Sequence, residues 1–447
     1  MKIIIGGAGE VGTHLAKLLS QEDQDIVLMD TNEERLNFPN NFEIMTIVGN
    51  PTSVQDLKSA GIKKADMFIA VTPEEATNMT ACMLAHHLGA QMTIARVEND
   101  EYLQPQNVEV FANLGVDSLI CPEILAADEI VDALKQAWTR QWWDIANGKL
   151  ILSGVKIRQN ALSLVNKHLY ELAGSSEERW YHIVAIKRDK ETLIPRGYDE
   201  ILPEDIVYFC TTKKYVEDLK VLAGKENINI QNITLMGGSH IARKVCERIP
   251  HHINVKLLEI DREKSIRLAE KLSSNIMVIN GDGRDTDLLL QENIQNCDAF
   301  IALTGNSEAN ILACLTAKNY GVLKTIAEVE NLDYVQMAEK LDIGSIINKK
   351  LIASGHIYRF LLRADVSTIK SLAFASAEVA ELVARPHSKI TKHPVKELQL
   401  PDGMTLGGLI RNDKAEIING ETQVQADDHV LVFCLDTAMR RIEDYFK

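Results

Sequence analysis

The chain has 447 residues, 46% hydrophobic and 25% charged, and a formal net charge of −15. That length exceeds one ordinary core and suggests about three domains. The acidic balance excludes a general nucleic-acid surface and direct docking on an anionic membrane. No apolar run approaches the ~20 residues that span a bilayer, and the N-terminal run is too short for a signal peptide. The seven cysteines (82, 121, 210, 246, 297, 314 and 434) are scattered without CxxC spacing, so buried thiols in a reducing cytoplasm are expected.

In chain order, Lys2 to Gly6 reads as a buried strand that runs into Gly7-x-Gly9-x-x-Gly12. An amphipathic helix follows, with Val11, Leu15, Leu18 and Leu19 on one face, and Ile26 to Met29 form a second strand ending at Asp30. In this context the glycines carry chemistry. Gly7 permits a tight turn, Gly9 lets a pyrophosphate approach the backbone, and Gly12 lets the helix pack on the strand, while the helix N-terminus offers free N–H groups. Asp30, 18 positions past Gly12, is placed to accept both ribose hydroxyls and to repel a 2′-phosphate. The expected ligand is NAD(H) or an adenine nucleotide rather than NADP(H).

Ile44 to Val48 is the next strand, leading to Gly49-Asn50, then a helix near Val54 to Ala60. Met67 to Val71 ends at Thr72-Pro73, a helix spans Glu75 to Leu88, and Thr93 to Val97 follows. This rhythm predicts a parallel, doubly wound sheet, whose ligands bind beyond the strand C-termini. Asn50, Thr72, Pro73 and Arg96 fall on the same rim as Gly7 and Asp30. From Pro122 to Trp143 a long helical stretch is expected, carrying three of the four tryptophans and suited either to core packing or to an interface. Residues 145–225 then change texture. Ile183 to Ile186, a turn at Arg188-Asp189, Glu191 to Ile194 and Ile206 to Phe209 predict a small antiparallel sheet.

The whole pattern then recurs. Ile233 to Ala242 repeats the opening, Leu257 to Asp261 repeats the strand ending in Asp30, and Gly281-Asp282 answers Gly49-Asn50. Asn310, Ala313, Cys314 and Ala317 match Asn78, Ala81, Cys82 and Ala85. A second linking helix is expected near Lys350 to Ala364, and Gly408 to Phe433 repeats the small sheet, with Asp205 answered by Asp428. The fold class is therefore α/β, with two tandem copies of a Rossmann-like parallel lobe followed by a small α+β lobe. The expected divisions are 1–120, a helical linker at 121–144, 145–225, 230–347, a second linker at 348–365, and 366–447. In the second copy Ser239 and Ala242 replace Gly9 and Gly12, and Glu328 replaces Arg96. The first copy is thus expected to be the better dinucleotide site.

No catalytic constellation accompanies the fingerprint. Adjacent histidines, as in His86-His87 and His251-His252, point about 100° apart on a helix, unlike a metal-binding i, i+4 pair. Glu177-Glu178 and Asp427-Asp428 are read as exposed turn carboxylates. An enzyme is not expected. The alternatives are an NAD-dependent oxidoreductase, which needs an acid/base residue facing the nicotinamide, and a free-standing nucleotide sensor.

The tandem order, with Gly7-Ala-Gly-Glu-Val-Gly12, Asp30, Val71-Thr72-x-x-Glu75-x-x-Asn78 and Arg96, resembles the TrkA family, the peripheral regulatory subunits of Trk-type bacterial potassium uptake systems. The resemblance spans the whole chain. It implies two RCK units, NAD(H) and ATP or ADP as ligands, and a homo-oligomer, expected to be a tetramer. It also implies a cytoplasmic location at the inner face of the plasma membrane, held there by a Trk-type potassium-translocating membrane subunit. Carried over by position, Gly7, Ala8, Gly9, Glu10 and Val11 cradle the phosphates and Asp30 holds the ribose. Thr72 and Pro73 border the adenosine or nicotinamide, and Arg96 contacts phosphate. Gly237, Gly238, Ser239, His240, Ile241 and Asp261 occupy the matching positions of the second lobe. Asn50 stands where the family commonly has Asp.

Overall fold

The computed structural model describes the chain except residues 21–23, 38–41, 147, 173–178, 190, 227, 359–365, 372–376, 436–443 and 447. It separates into two compact units, Met1–Leu125 with Lys349–Ile357, and Ala126–Asn348 with Tyr358–Lys447.

The first unit is built on six parallel strands: β1 (Lys2–Gly6), β2 (Asp25–Asp30), β3 (Ile44–Val48), β4 (Met67–Ala70), β5 (Thr93–Arg96) and β6 (Ser118–Ile120). Their spatial order, β3-β2-β1-β4-β5-β6, reverses direction of growth at β1 and β4. The C-terminal ends of those two strands therefore open the crevice where doubly wound folds bind ligands. Helices α1 (Glu10–Ser20), α2 (Val54–Ser59), α3 (Glu75–Leu88) and α4 (Pro105–Asn113) make the crossovers. Central strands covered on both faces must be apolar throughout, and Ile3, Ile4, Ile5, Phe68 and Ile69 are fully buried.

Helix α5 (Pro122–Lys135) starts in this unit and enters the second at Ala126. The expected helix to Trp143 is corrected here. The chain turns after Lys135, and Trp142 and Trp143 lie on β7 (Gln141–Ile145), where alternation buries Trp143 and Ile145 on one face.

In the second unit β7 joins β8 (Leu150–Lys156), β9 (Tyr181–Arg188), β10 (Glu191–Leu193) and β11 (Ile206–Thr212) in an antiparallel sheet ordered β10-β9-β11-β8-β7. Short helices α6 (Leu169–Leu172) and α7 (Val216–Leu222) flank it. The second parallel sheet consists of β12 (Asn232–Met236), β13 (Asn254–Glu259), β14 (Ile276–Asn280), β15 (Ala299–Ala302), β16 (Lys324–Glu328) and β17 (Ser345–Ile347). Its order, β14-β13-β12-β15-β16-β17, copies the first. Its helices are α8 (His240–Arg248), α9 (Arg262–Lys271), α10 (Thr286–Gln291), α11 (Ser307–Asn319) and α12 (Leu332–Lys340).

Helix α13 (Lys349–Tyr358) follows β17 but belongs, through Ile357, to the first unit. The rest of the expected second linker, including Phe360, Leu361 and Leu362, lies outside the described residues. The last sheet, of β18 (Val366–Ser371), β19 (Ala377–Val383), β20 (Met404–Arg411), β21 (Lys414–Ile417) and β22 (His429–Leu435), is ordered β18-β19-β22-β20-β21.

The duplication extends to single bonds. Arg188 donates from Nε and Nη2 to Asp205 at 2.9 and 2.7 Å, and Arg411 does the same to Asp428 at 2.9 and 2.6 Å. Asp428 is therefore a buried partner of a guanidinium rather than an exposed turn carboxylate. Glu177 and Glu178 lie outside the described residues. The two antiparallel sheets share one core, in which Trp143, Leu152 and Tyr208 meet Val379, Leu431 and Phe433. All seven cysteines are free and buried.

Candidate functional site: two clefts at the ends of the parallel strands

In the first unit the glycine turn is shaped by contacts a side chain would break. Gly7 has φ +111°, and its N–H donates to the Met29 carbonyl at 2.7 Å. A Cβ at Gly12 would lie 1.9 Å from the Gly7 carbonyl oxygen, so only glycine permits this approach of α1 to the turn. A Cβ at Gly9 would meet nothing within 4 Å. Packing of the chain on itself therefore gives no reason for glycine at position 9, whereas close approach of a ligand does.

Asp30, at the end of β2 and buried, accepts the Ala8 N–H on Oδ2 at 2.7 Å and the Asn32 N–H on Oδ1 at 2.8 Å. The acid thus fixes the glycine loop to the end of β2. Across the crevice, Asn78 is almost fully buried and accepts from the Thr72 N–H and hydroxyl at 2.8 and 2.7 Å. Its own amide donates to the carbonyls of Thr72 and Arg96, both at 2.9 Å, which ties the ends of β4 and β5 together. Asn50 sits in an exposed turn, its side chain accepting from Thr52.

Two charged groups differ from expectation. Arg96 faces Glu98 and Glu123 at 3.3 and 3.2 Å, so its positive charge is already shared between carboxylates, although its Nε is buried without a partner. Glu10, in the first turn of α1, pairs with Lys350 of α13 at 3.3 Å. Lys350 is a cation at this helix N-terminus that sequence reading missed, because it is distant in the chain. Nearby His14 is held below its ordinary pKa by burial and then by Lys350 and Lys17.

The second lobe repeats this frame and changes its details. Gly237 has φ +95°, and its N–H meets the Leu258 carbonyl at 2.8 Å. Asn310 ties Thr304 to the carbonyl of Glu328, donating at 2.8 and 2.9 Å. The acid at the strand end, however, is Glu259. It accepts the Gly238 N–H at 2.9 Å and the Asp261 N–H at 3.0 Å, as Asp30 does with Ala8 and Asn32. Asp261, expected to answer Asp30, instead caps α9 by accepting the Lys264 N–H at 2.9 Å. The strand stops at Glu259, and Ile260, which seemed to prolong its apolar run, is exposed.

Glu259 is buried, which works against its charge, but the Asp261 N–H, the Lys264 ammonium at 2.9 Å and the Gly238 N–H hold its carboxyl below the usual range. Ser239 caps α8, accepting the Ala242 N–H at 3.3 Å, so its hydroxyl occupies part of the helix terminus that Gly9 leaves open in the first lobe. His240 stands exposed beside Arg243, while Ile241 is buried. The cleft measures about 300 Å³ and is lined by Gly237 to Ser239, Glu259, Lys264, Asp282, Arg284 and Asn306, among others.

Such an arrangement can hold a nucleotide: N–H groups at a glycine turn for phosphate, and an acid at the end of the second strand for ribose hydroxyls. Two Rossmann-like lobes, each followed by a small antiparallel lobe, define a tandem RCK-type chain. Comparison with known proteins agrees. The TrkA-N domain profile matches residues 3–122 and 233–349, and the TrkA-C domain profile matches 379–447. The Trk system potassium uptake protein TrkA of Halomonas elongata is 31% identical over 99% of this chain and 97% of its own length. The TrkA of Haemophilus influenzae is 30% identical over 98% and 96%. The chain belongs to the TrkA family.

Among solved structures, the GsuK RCK domain superposes with a TM-score of 0.62 at 14% identity, covering 100% of this chain and 94% of that one. The GsuK channel bound to NAD gives 0.59 at 15% identity, covering 100% and 78%. These likenesses establish the fold. The named relatives are potassium-uptake proteins rather than oxidoreductases. Among the described residues no helix is long and apolar enough to cross a membrane.

Proposed function

We propose that this chain is the nucleotide-sensing regulatory subunit of a potassium uptake system, controlling a Trk-type membrane subunit from its cytoplasmic face. The observation that carries this reading is the repeated acid-on-loop bond, Asp30 to Ala8 and Glu259 to Gly238, in a chain alike to TrkA proteins over its full length. The first cleft takes NAD(H) or an adenine nucleotide through Gly7 to Gly12 and Asp30, with Thr72, Pro73 and Arg96 on the opposite rim. The second, with Gly237 to Ile241 and Glu259, takes a nucleotide under different electrostatics. On this reading the lobes divide near 120, 225 and 347, and the chain works as a homo-oligomer, a tetramer supplying eight RCK units.

A ligand can bias the membrane partner only by binding two arrangements of the lobes with unequal affinity. ATP, ADP and NADH can therefore act in opposite directions at one cleft. The test is rubidium-tracer uptake in source cells lacking the gene, complemented with wild type or Asp30→Ala. Recovery with wild type alone supports a uptake regulator working through the first cleft. Uptake unchanged by the deletion, with no redundant system present, overturns the reading.

A further inference from the structure

The two parallel lobes can be compared turn by turn, and besides the cleft they differ at one edge. The turn after α12 repeats the turn after α4 bond for bond. The Gly115 N–H donates to Ala112 O at 3.0 Å, and the Asp342 N–H to Glu339 O at 2.9 Å. Both turn residues are left-handed, Gly115 at φ +88° and Asp342 at φ +55°. Glycine takes that conformation without strain and aspartate does so occasionally, so the exchange leaves the turn in place and any reason for the aspartate lies in its side chain.

Its contacts supply one. The half-buried Asp342 carboxylate is clamped by Arg140 and Arg158, lies 3.4 Å from Lys156, and accepts from Lys318 at 3.0 Å. Burial opposes its charge, but these cations, Arg140 foremost, hold the group far below the usual carboxylate range. Alongside, Lys187 donates to Glu339 at 2.7 and 2.6 Å. Lys324 donates to Thr139 O at 2.7 Å and to Ser345 Oγ at 3.0 Å. Arg140, Lys156, Arg158 and Lys187 come from the first small lobe and its approach; Lys318, Lys324, Glu339 and Asp342 come from the second parallel lobe. By the repeat, the last four correspond to His86, Met92, Ala112 and Gly115 in the first lobe. At three of these four positions the second copy carries an ionisable group where the first has none, and the fourth exchanges His86 for Lys318, all at the edge where the first small lobe docks.

Lys318 sits near the C-terminal end of α11, and the opposite end of α11 belongs to the second cleft. Gly305, Asn306 and Ala309 line that cleft, and Asn310 pins the helix to the ends of β15 and β16. Thirteen helical residues reach about 20 Å. One helix thus borders the second cleft at one end and supplies a cation to the docking carboxylate at the other.

We infer that Asp342 is a coupling hub through which occupancy of the second cleft is linked, along α11, to the docking of the first small lobe. The inference rests on the reading of the second cleft as a nucleotide site. Displacement of the α11 N-terminus by a ligand moves Lys318 against Asp342 and redistributes the carboxylate among its four cations. By linkage, any change at the hub must in turn change ligand affinity at the cleft.

The test is hydrogen–deuterium exchange on the full chain, titrated with ADP, read peptide by peptide in wild type and Asp342→Gly. Glycine is the residue the first lobe uses in this turn, so the variant is expected to fold, with circular dichroism and thermal unfolding as checks. In wild type, ADP is expected to protect residues 237–241 and 281–284 and to change exchange at 339–345 and 154–158. In the variant, the response at 339–345 is lost and the midpoint for protection of 237–241 shifts at least threefold. A purely structural hub lowers the unfolding temperature but leaves that midpoint in place, which overturns the coupling. So does protection of the cleft in wild type with 339–345 unchanged. Absence of any protection at 237–241 overturns the nucleotide reading of the second cleft and the inference with it.

Discussion

The Ala8 N–H reaches Asp30 Oδ2 at 2.7 Å, so the acid proposed to meet a ribose also anchors the glycine loop proposed to meet the phosphates. Each carboxylate oxygen retains acceptor capacity beyond the bond it makes. Asp30→Ala removes both functions, and a hydrogen bond to a charged group is worth about 1.5–3 kcal/mol. NADH affinity at the first cleft is therefore expected to fall about 10- to 100-fold. Asp30→Asn keeps one acceptor oxygen and is expected to fall between wild type and alanine. Fluorescence titration with NADH checks the order, and equal affinities in all three would remove Asp30 from the site.

Gly9 and Gly12 make opposite predictions although they belong to one motif. At Gly12 a methyl group collides with the Gly7 carbonyl, and overpacking of this kind costs roughly 2–3 kcal/mol. Gly12→Ala is expected to lower stability in urea unfolding. At Gly9 a methyl enters open space, so Gly9→Ala is expected to unfold like wild type while binding NADH at least tenfold more weakly, about 1.4 kcal/mol. A Gly9→Ala protein with unaltered affinity would mean that no ligand approaches the loop there.

The fingerprint, the duplication and most strands of the parallel lobes were legible because they rest on local signals: apolar runs, glycines at fixed spacing, and matches in register. What escaped was set by tertiary context. Ile260 reads as one more buried strand residue, yet the strand has ended at Glu259, and only pairing with β14 shows it. Ser118 to Ile120 is too short to announce β6, which forms because β5 offers an open edge. Trp142 and Trp143 look like a helix face until β8 pairs with them. The Asp342 cluster joins residues up to 202 positions apart, and nothing local marks it.

Asn78 carries a prediction about architecture rather than ligand. Its single amide serves four bonds just past the strand ends that frame the site, three to Thr72 (N–H, hydroxyl and carbonyl) and one to the Arg96 carbonyl at the end of β5. Asn78→Ala leaves buried backbone groups without partners, at about 1–3 kcal/mol each for those that water cannot reach. The expected outcome is a loss of at least 3 kcal/mol in urea unfolding. Asn78→Asp keeps the acceptor but not the donor, and is expected to be destabilising too. A variant as stable as wild type would show that solvent replaces the staple.

Lys324 makes stability depend on pH. Burial first, and then the neighbouring Arg140, push its pKa down to about 7, against about 10.4 for an unfolded lysine. Both acceptors around it, Thr139 O and Ser345 Oγ, are neutral, so the uncharged amine satisfies its donors and no carboxylate rewards the proton. From pH 7 to about 10 the unfolded chain binds a proton that the folded chain does not. Stability from this group therefore rises with pH, by at most about 1.4 kcal/mol per unit, and is flat below pH 7, where both states are protonated. Lys225, lowered to about 8 by burial and by Arg158 and Arg140, adds a slope of the same sign. In Lys324→Met, which installs the residue found at the matching position 92, the Lys225 slope remains and the Lys324 slope vanishes. The substitution leaves the Thr139 carbonyl unpaired, a cost independent of pH. The stability of the variant relative to wild type is thus expected to fall as pH rises from 7 to 9. All four tryptophans, at 138, 142, 143 and 180, lie in the unit that contains Lys324, so their fluorescence reports its urea unfolding directly. A difference between the two proteins that stays constant across that range would mean that Lys324 is charged in the folded chain.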